Sequence, residues 1–211
     1  MQQHRADAQQ LQSWLWPEAT EDAAKAALEV AVHRLRKLLN CDDAVRMSAG
    51  KLSLSPEHVW VDASAFEAWL PEAQRELDGQ PAAPAADILA QRLFRDYGGP
   101  LFGDDDAAPW SIGPRERLHQ GFLRLAAGLG RFHEVHKDWS RAATVYERGI
   151  AQDQLAEELY RGLIRCHLAR NEPAAAMSVF RRCREILSVV LGIAPAAATR
   201  DLVSKVAAAG N

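Results

Sequence analysis

The sequence predicts a mainly α protein in two parts, and three observations predict it. Residues up to about 55 show the pattern helix, turn, helix, hairpin. From about residue 60 onward every periodic segment has helical spacing. Within that second part the sequence resembles itself at an offset of 34 residues. We place the boundary so that residues 1–58 form the first domain and residues 59–211 the second.

The elements follow in order. A short apolar helix ends near Trp16, where Pro17 breaks it and "WPEA" makes a turn. Residues 20–39 form the next helix. Thr20 is placed to cap it, Glu21 and Asp22 suit its positive N-terminus, and Leu28, Val32, Leu35 and Leu39 recur at spacings of four, three and four. Val45 and Met47, then Leu52 and Leu54, alternate with polar residues around Gly50, which predicts a hairpin. Asp62 can start a helix carrying Phe66, Trp69 and Leu70. A Pro- and Ala-rich loop over 78–86 precedes a helix over 86–96. "YGGPLFGDDDAAP" is a long turn-rich connection. Helices are predicted over 114–136, 140–151, 155–169, 173–191 and 196–209.

Comparing 129–153 with 163–187 gives six identities in 25 pairs, among them Leu129 with Leu163, Arg131 with Arg165, His133 with His167 and Ala142 with Ala176. Tyr146 faces Phe180. The period is that of a tetratricopeptide repeat, in which small residues let helices approach and an aromatic fills the space between pairs. Ala142, Tyr146 and Gly149 occupy that register, as do Ala176, Phe180 and Cys183. An ordinary helical bundle is the alternative.

Composition narrows the function. The chain has 211 residues, 48% hydrophobic, and a net charge of −3, so it is no general polyanion binder. Charge is uneven: residues 61–114 hold three basic and ten acidic side chains, whereas 25–51 hold six basic and three acidic. Three cysteines without a CxxC pair point to a reduced, cytoplasmic protein with no disulfide framework and no zinc site. No apolar run is long enough for a membrane span, and the polar N-terminus lacks a secretory signal. "HEVH" over 133–136 lacks the spacing of a zinc protease, and His133 is expected to pack between helices. Asp104, Asp105 and Asp106 are followed by no further oxygen side chains, so a solvated loop is expected there. No nucleophile elbow, phosphate loop or dinucleotide fingerprint occurs. The expectation is no enzyme, no cofactor and no metal.

The helix over 20–39 is the segment with a distinctive face. Opposite its leucine stripe lie Ala26, Val30, His33, Arg34 and Lys37. Exposed Val and Ala gain nothing from water, but in a DNA major groove they can contact thymine methyls, while Arg34 can reach guanine and Lys37 phosphate. Arg46 and Lys51 in the hairpin can hold the neighbouring backbone.

At this point the sequence resembles a known family. "LWPEATEDAAKAALEVAVHRLRKLL" followed by "VRMSAGKLSLS" resembles the second half of an OmpR-type winged helix. "VWVDASAFEAWL", "YGGPLF" and "APWSIGPRERL" resemble the bacterial transcriptional activator domain. The tandem is that of Streptomyces antibiotic regulatory proteins. The resemblance implies a partial winged helix (helix–turn–helix plus β-hairpin) followed by an α-helical tetratricopeptide-like repeat domain. It also implies sequence-specific binding of double-stranded DNA, often as a homodimer. Val30, His33, Arg34, Arg36 and Lys37 would face DNA from the helix, and Arg46 and Lys51 from the wing.

Three further expectations complete the reading. Nothing before residue 10 supplies the sheet and first helix with which such a domain begins, and only Leu11, Trp14, Leu15 and Trp16 lie upstream to cover the leucine stripe. The chain is therefore expected to be part of a longer protein, or to cover the stripe with its C-terminal domain or a second copy. Arg131 and Arg165, at one repeat position, are expected to line a groove for an acidic protein segment. The rival to a DNA-binding regulator is a helical-repeat interaction module without its own DNA binding.

Overall fold

The computed structural model describes the backbone of residues 5–103 and 108–209, and the side chains of these up to residue 204. The acidic run 104–106 lies outside the described residues. Among the described residues, the chain forms nine α-helices and one three-stranded sheet. It divides into two compact units, the first running to Ala65 and including the residues before Gly113 at the start of the fifth helix, the second holding the remainder.

The first unit begins with β1 (Arg5–Asp7) and α1 (Ala8–Leu15). Asp7 ends the strand and starts the helix, its Oδ1 accepting the Gln9 and Gln10 amides at 2.9 and 3.1 Å. α2 (Glu21–Leu39) follows the turn at Pro17. Thr20 does precede α2, but its hydroxyl makes no cap bond; its carbonyl instead takes the Ala24 amide at 2.8 Å. Asn40 closes the helix at φ 50, in the left-handed conformation that Asn tolerates better than most residues. A single 3-10 turn then leads into β2 (Val45–Ser48) and β3 (Lys51–Leu54). Their connection is Ala49–Gly50, both at positive φ, as a two-residue hairpin loop of the right twist requires.

The sheet order is β1-β3-β2, all antiparallel. This corrects the expectation that nothing before residue 10 could supply a strand. β1 is three residues long, too short to show an alternation, and its hydrogen bonds come from the distant β3 rather than from any local pattern.

The second unit is helical. It comprises most of α3 (Asp62–Asp78), α4 (Ala83–Asp96), most of α5 (Pro109–Val135), α6 (Trp139–Gln152), α7 (Glu157–Ala169), α8 (Pro173–Leu191) and α9 (Ala197–Ala209). Two starts fall earlier than expected. α4 begins at Ala83 because Pro84, in its first turn, has no amide to leave unsatisfied. α5 begins at Pro109, so Pro114 sits inside the helix.

The repeat centres on one side chain. Tyr146 of α6 is 1% exposed and lies against Gly130 of α5 and Gly162 of α7; a Cβ added at either glycine would stand 2.3 or 2.2 Å from the tyrosine ring. Its hydroxyl donates to Glu134 Oε1 at 2.5 Å. Glu134 also receives Arg165 of α7 through Nε and Nη2, at 2.9 and 2.8 Å. Burial, reinforced by the Glu134 charge, raises the tyrosine pKa, so the hydroxyl stays a donor. Ala142, Ala176 and Cys183 of the repeat register are fully buried. The register's second aromatic, Phe180, is only half-buried, against Ile164, Ala176 and Val203. His133 is buried, as expected of a residue between helices. Its repeat mate His167 instead donates from Nδ1 to Glu172 at 2.8 Å.

"YGGPLF" opens on Tyr97, which stacks on Phe122 with centroids 4.2 Å apart. The Tyr97 hydroxyl donates to His119 Nδ1 at 2.9 Å, and His119 Nε2 donates to Asp153 at 3.0 Å. This chain of bonds ties the loop after α4 to α5 and to the end of α6.

Two outcomes follow from this packing. Gly162→Ala should lower stability by about 1–3 kcal/mol, because neither the ring nor the facing α5 backbone can yield; urea unfolding of wild type and variant measures it. Burial pushes the Cys166 thiol up to about 12 and the Cys183 thiol up to about 11, so neither forms a thiolate at neutral pH. Iodoacetamide should label only the half-exposed Cys41 in the native protein and all three cysteines after denaturation, as read by mass spectrometry.

Candidate nucleic-acid interface

α2 has one buried face. Leu28 and Val32, 3% and 4% exposed, pack with Ala8, Ala44 and Val45, and around them lie Trp16, Cys41, Leu52, Leu54 and Val59. The first half of the leucine stripe is thus covered within its own unit, by α1 and the hairpin. The second half is not: Leu35 and Leu39 are 39% and 44% exposed.

The opposite face is open. Ala26, Val30, His33, Arg34 and Lys37 are all exposed. Arg34, Lys37 and His33 make no ion pair or side-chain hydrogen bond among the described residues. Burying the stripe and freeing this face are one event, since residues three and four apart share a side of the helix.

Arg36 departs from the expected set. Its Nε donates to the Val45 carbonyl at 2.8 Å, and the side chain is partly buried. The reason lies in the sheet. The Ser55 amide bonds the Ala44 carbonyl at 2.9 Å, which turns the carbonyl of Val45 away from β3, on the open side of the edge strand β2. Arg36 satisfies that carbonyl and fixes the hairpin to α2.

The hairpin residues follow from the register. Arg5, Ser53 and Arg46 stand directly opposite one another across the three strands, and so do Asp7, Lys51 and Ser48. Residues opposite each other, or two apart along a strand, share a face. One face therefore carries Arg5, Arg46, Lys51, Ser48 and Ser53. The other carries Val45, Met47, Leu52 and Leu54, and it is the side that packs on α2. Asp7 shares the polar face, but its Oδ1 is engaged in capping α1. Arg46 lies 3.8 Å from Asp43, an exposed contact of little energy. Lys51 and Arg5 have no ion pair among the described residues. A surface cavity of ≈ 450 Å³ is lined by Arg5, Ser48, Ala49, Lys51 and Ser53, without a carboxylate. Sequence reasoning missed Arg5, because only strand pairing brings it beside Lys51 and Ser53.

Arg131 and Arg165 are not the free cations expected. Arg131 pairs with Glu158 at 2.5 Å, and Arg165 is held by both oxygens of Glu134. Each thus has a carboxylate of its own unit beside it, Arg131 at an exposed position and Arg165 at a partly buried one.

Among the described residues no helix is long and apolar enough to cross a membrane, and no group of three or more His, Cys, Asp or Glu side chains could hold a metal ion. A helix–turn–helix backed by a small sheet, joined to stacked helical pairs, defines the class: a winged helix with a helical repeat domain. More particularly, the chain belongs to the bacterial transcriptional activator domain family, whose family model matches residues 61–207. No curated protein matches the sequence. A solved structure of Mycobacterium tuberculosis EmbR in complex with a low-affinity phosphopeptide has the same fold, with a TM-score of 0.69 at 19% identity. The match covers 96% of this chain and 54% of EmbR, so the chain spans about half the length of that protein.

Arg36→Ala should leave Val45 with an unpaired edge carbonyl and destabilise the hairpin by roughly 1–3 kcal/mol. Hydrogen exchange should show faster exchange of the hairpin amides, with those around Tyr146 unchanged.

Proposed function

We propose that this protein is a cytoplasmic transcriptional regulator that binds double-stranded DNA through residues 20–55. In this reading α2 enters the major groove. Val30, His33 and Arg34 meet base edges, Lys37 meets phosphate, and the outer face of the sheet, with Arg46, Lys51 and Arg5, follows the backbone. The observation that carries it is the set of exposed cations on α2 and on the sheet that have no partner among the described residues, in a chain whose net charge is −3. A cavity lined by Arg5 and Lys51 without a carboxylate favours phosphate, and release of counterions supplies most of the affinity. Membership of the activator family supports the reading. The helical unit would make dimer or partner contacts.

Fluorescence anisotropy with a selected site and with scrambled DNA, across a salt series, tests this. Arg34→Ala should cost about 1–3 kcal/mol on the selected site and relax specificity at one base pair. Val30→Ala should weaken binding less, and mainly where the site has thymine. Lys51→Ala and Arg5→Ala should weaken all sequences about equally, each lowering the salt slope by roughly one unit. If the wild type binds neither DNA at physiological salt, the protein acts as an interaction module instead.

A further inference from the structure

The helical unit holds another cavity, apart from the basic face of the winged helix. α4 presents Asp87, Ala90, Gln91 and Phe94 along one side, and α6 presents Arg141, Thr144, Val145 and Arg148. The two rows run in register: Arg141 Nε is 3.4 Å from Asp87, and the Arg148 guanidinium lies 4.2 Å over the Phe94 ring. Between them is a cavity of ≈ 260 Å³, which His133 of α5 also lines.

The polar groups of this cavity are of two kinds. Those at the Asp87 level are paired, two carboxylates sharing one guanidinium. Arg141 joins Asp87 and, at 2.6 Å, Asp138. Thr144 donates to the Ser140 carbonyl at 3.1 Å, and the exposed Arg148 and Gln91 are left open. Arg148 has no carboxylate within ion-pair distance among the described residues, and the Gln91 amide makes no hydrogen bond there. His133 is 2% exposed, yet its Nε2 is 3.7 Å from the nearest Asp87 oxygen, outside hydrogen-bond range, and no other protein group among the described residues bonds its ring. Burial lowers the His133 pKa against the opposing pull of Asp87, so the ring is neutral and offers one donor and one acceptor.

We propose that this cavity binds a short organic acid with one carboxylate and a distal carbonyl or hydroxyl oxygen. The carboxylate sits on Arg148 with Gln91, the distal oxygen on the His133 ring, and the hydrocarbon between them against Ala90 and Val145. Three features set the class. Arg148 is the one cation of the cavity without a counter-charge among the described residues, so it takes one negative charge. Asp87 in the same cavity repels a second charge and disfavours phosphate. The two levels are seven residues apart on each helix, or about 10 Å, and the volume is below the range of drug-sized pockets, so the chain is short.

Levulinate and γ-hydroxybutyrate are suitable probes, with levulinamide and inorganic phosphate as controls. Each is titrated into the full chain while the His133 ring resonances, assigned from their loss in His133→Gln, are followed by NMR. The expected result is a saturable shift with at least one acid, with much weaker effects of levulinamide and phosphate. Arg148→Met keeps the apolar stem over Phe94 and should weaken binding roughly tenfold or more. Gln91→Leu, an exposed position that leaves the fold intact, should weaken it less. The absence of a saturable His133 shift with both acids overturns the proposal. Equal binding by Arg148→Met, or equal binding of phosphate, also overturns it, the latter reducing the site to general anion attraction.

Discussion

The helical half of the molecule depends on how close three helices can come around one phenol ring. Tyr146 occupies the space that side chains on Gly130 and Gly162 would fill, so α5 and α7 both lie against its ring. A phenol buried that deeply needs an acceptor, and Glu134 supplies it. A largely shielded carboxylate in turn needs a counter-charge, and Arg165 reaches it with two bonds. Each member answers a debt in hydrogen bonding left by the one before. The repeat is therefore locked by shape and by charge at the same place, and Arg165 is spent internally.

The winged unit is ordered by a different constraint, the alternation of a three-stranded sheet. With Val45, Leu52 and Leu54 committed to α2, the opposite face of the strands turns outward, and it carries Arg5, Arg46, Lys51, two serines and the capping Asp7. α2 is divided in the same way, Leu28 and Val32 inward and Val30, Arg34 and Lys37 outward. A small apolar cluster thus suffices to present two polar surfaces, one from a helix and one from a sheet.

Much of this was legible in the sequence because it is periodic. The stripe of α2, the alternation of the hairpin and the 34-residue repeat all reflect local geometry, and the helices fall within a few residues of their expected bounds. What was hidden depended on contacts between distant segments. β1 exists only through its pairing with β3, so Arg5 could not be associated with Lys51. Arg36 looked equivalent to Arg34 until the Val45 carbonyl, turned outward by the strand pairing, claimed it. Arg131 and Arg165 showed the same repeat position but not the carboxylates, 27 and 31 residues away in sequence, that hold them. Repeat spacing identifies a position; it does not show what side chain stands opposite.

The bond from Arg36 to the edge of the sheet has a consequence for association between molecules. A three-stranded sheet has two open edges, and an open edge invites a strand from another chain. Here β1 is three residues long, which gives an incoming strand little to pair with. β2 is four residues long, and one of the carbonyls on its open edge, that of Val45, is already taken by a guanidinium that also places a charge at that rim. The sheet is thereby discouraged from growing into ribbons of like molecules. A protein that exposes half a leucine stripe close by can then meet other molecules through side chains without recruiting their backbones.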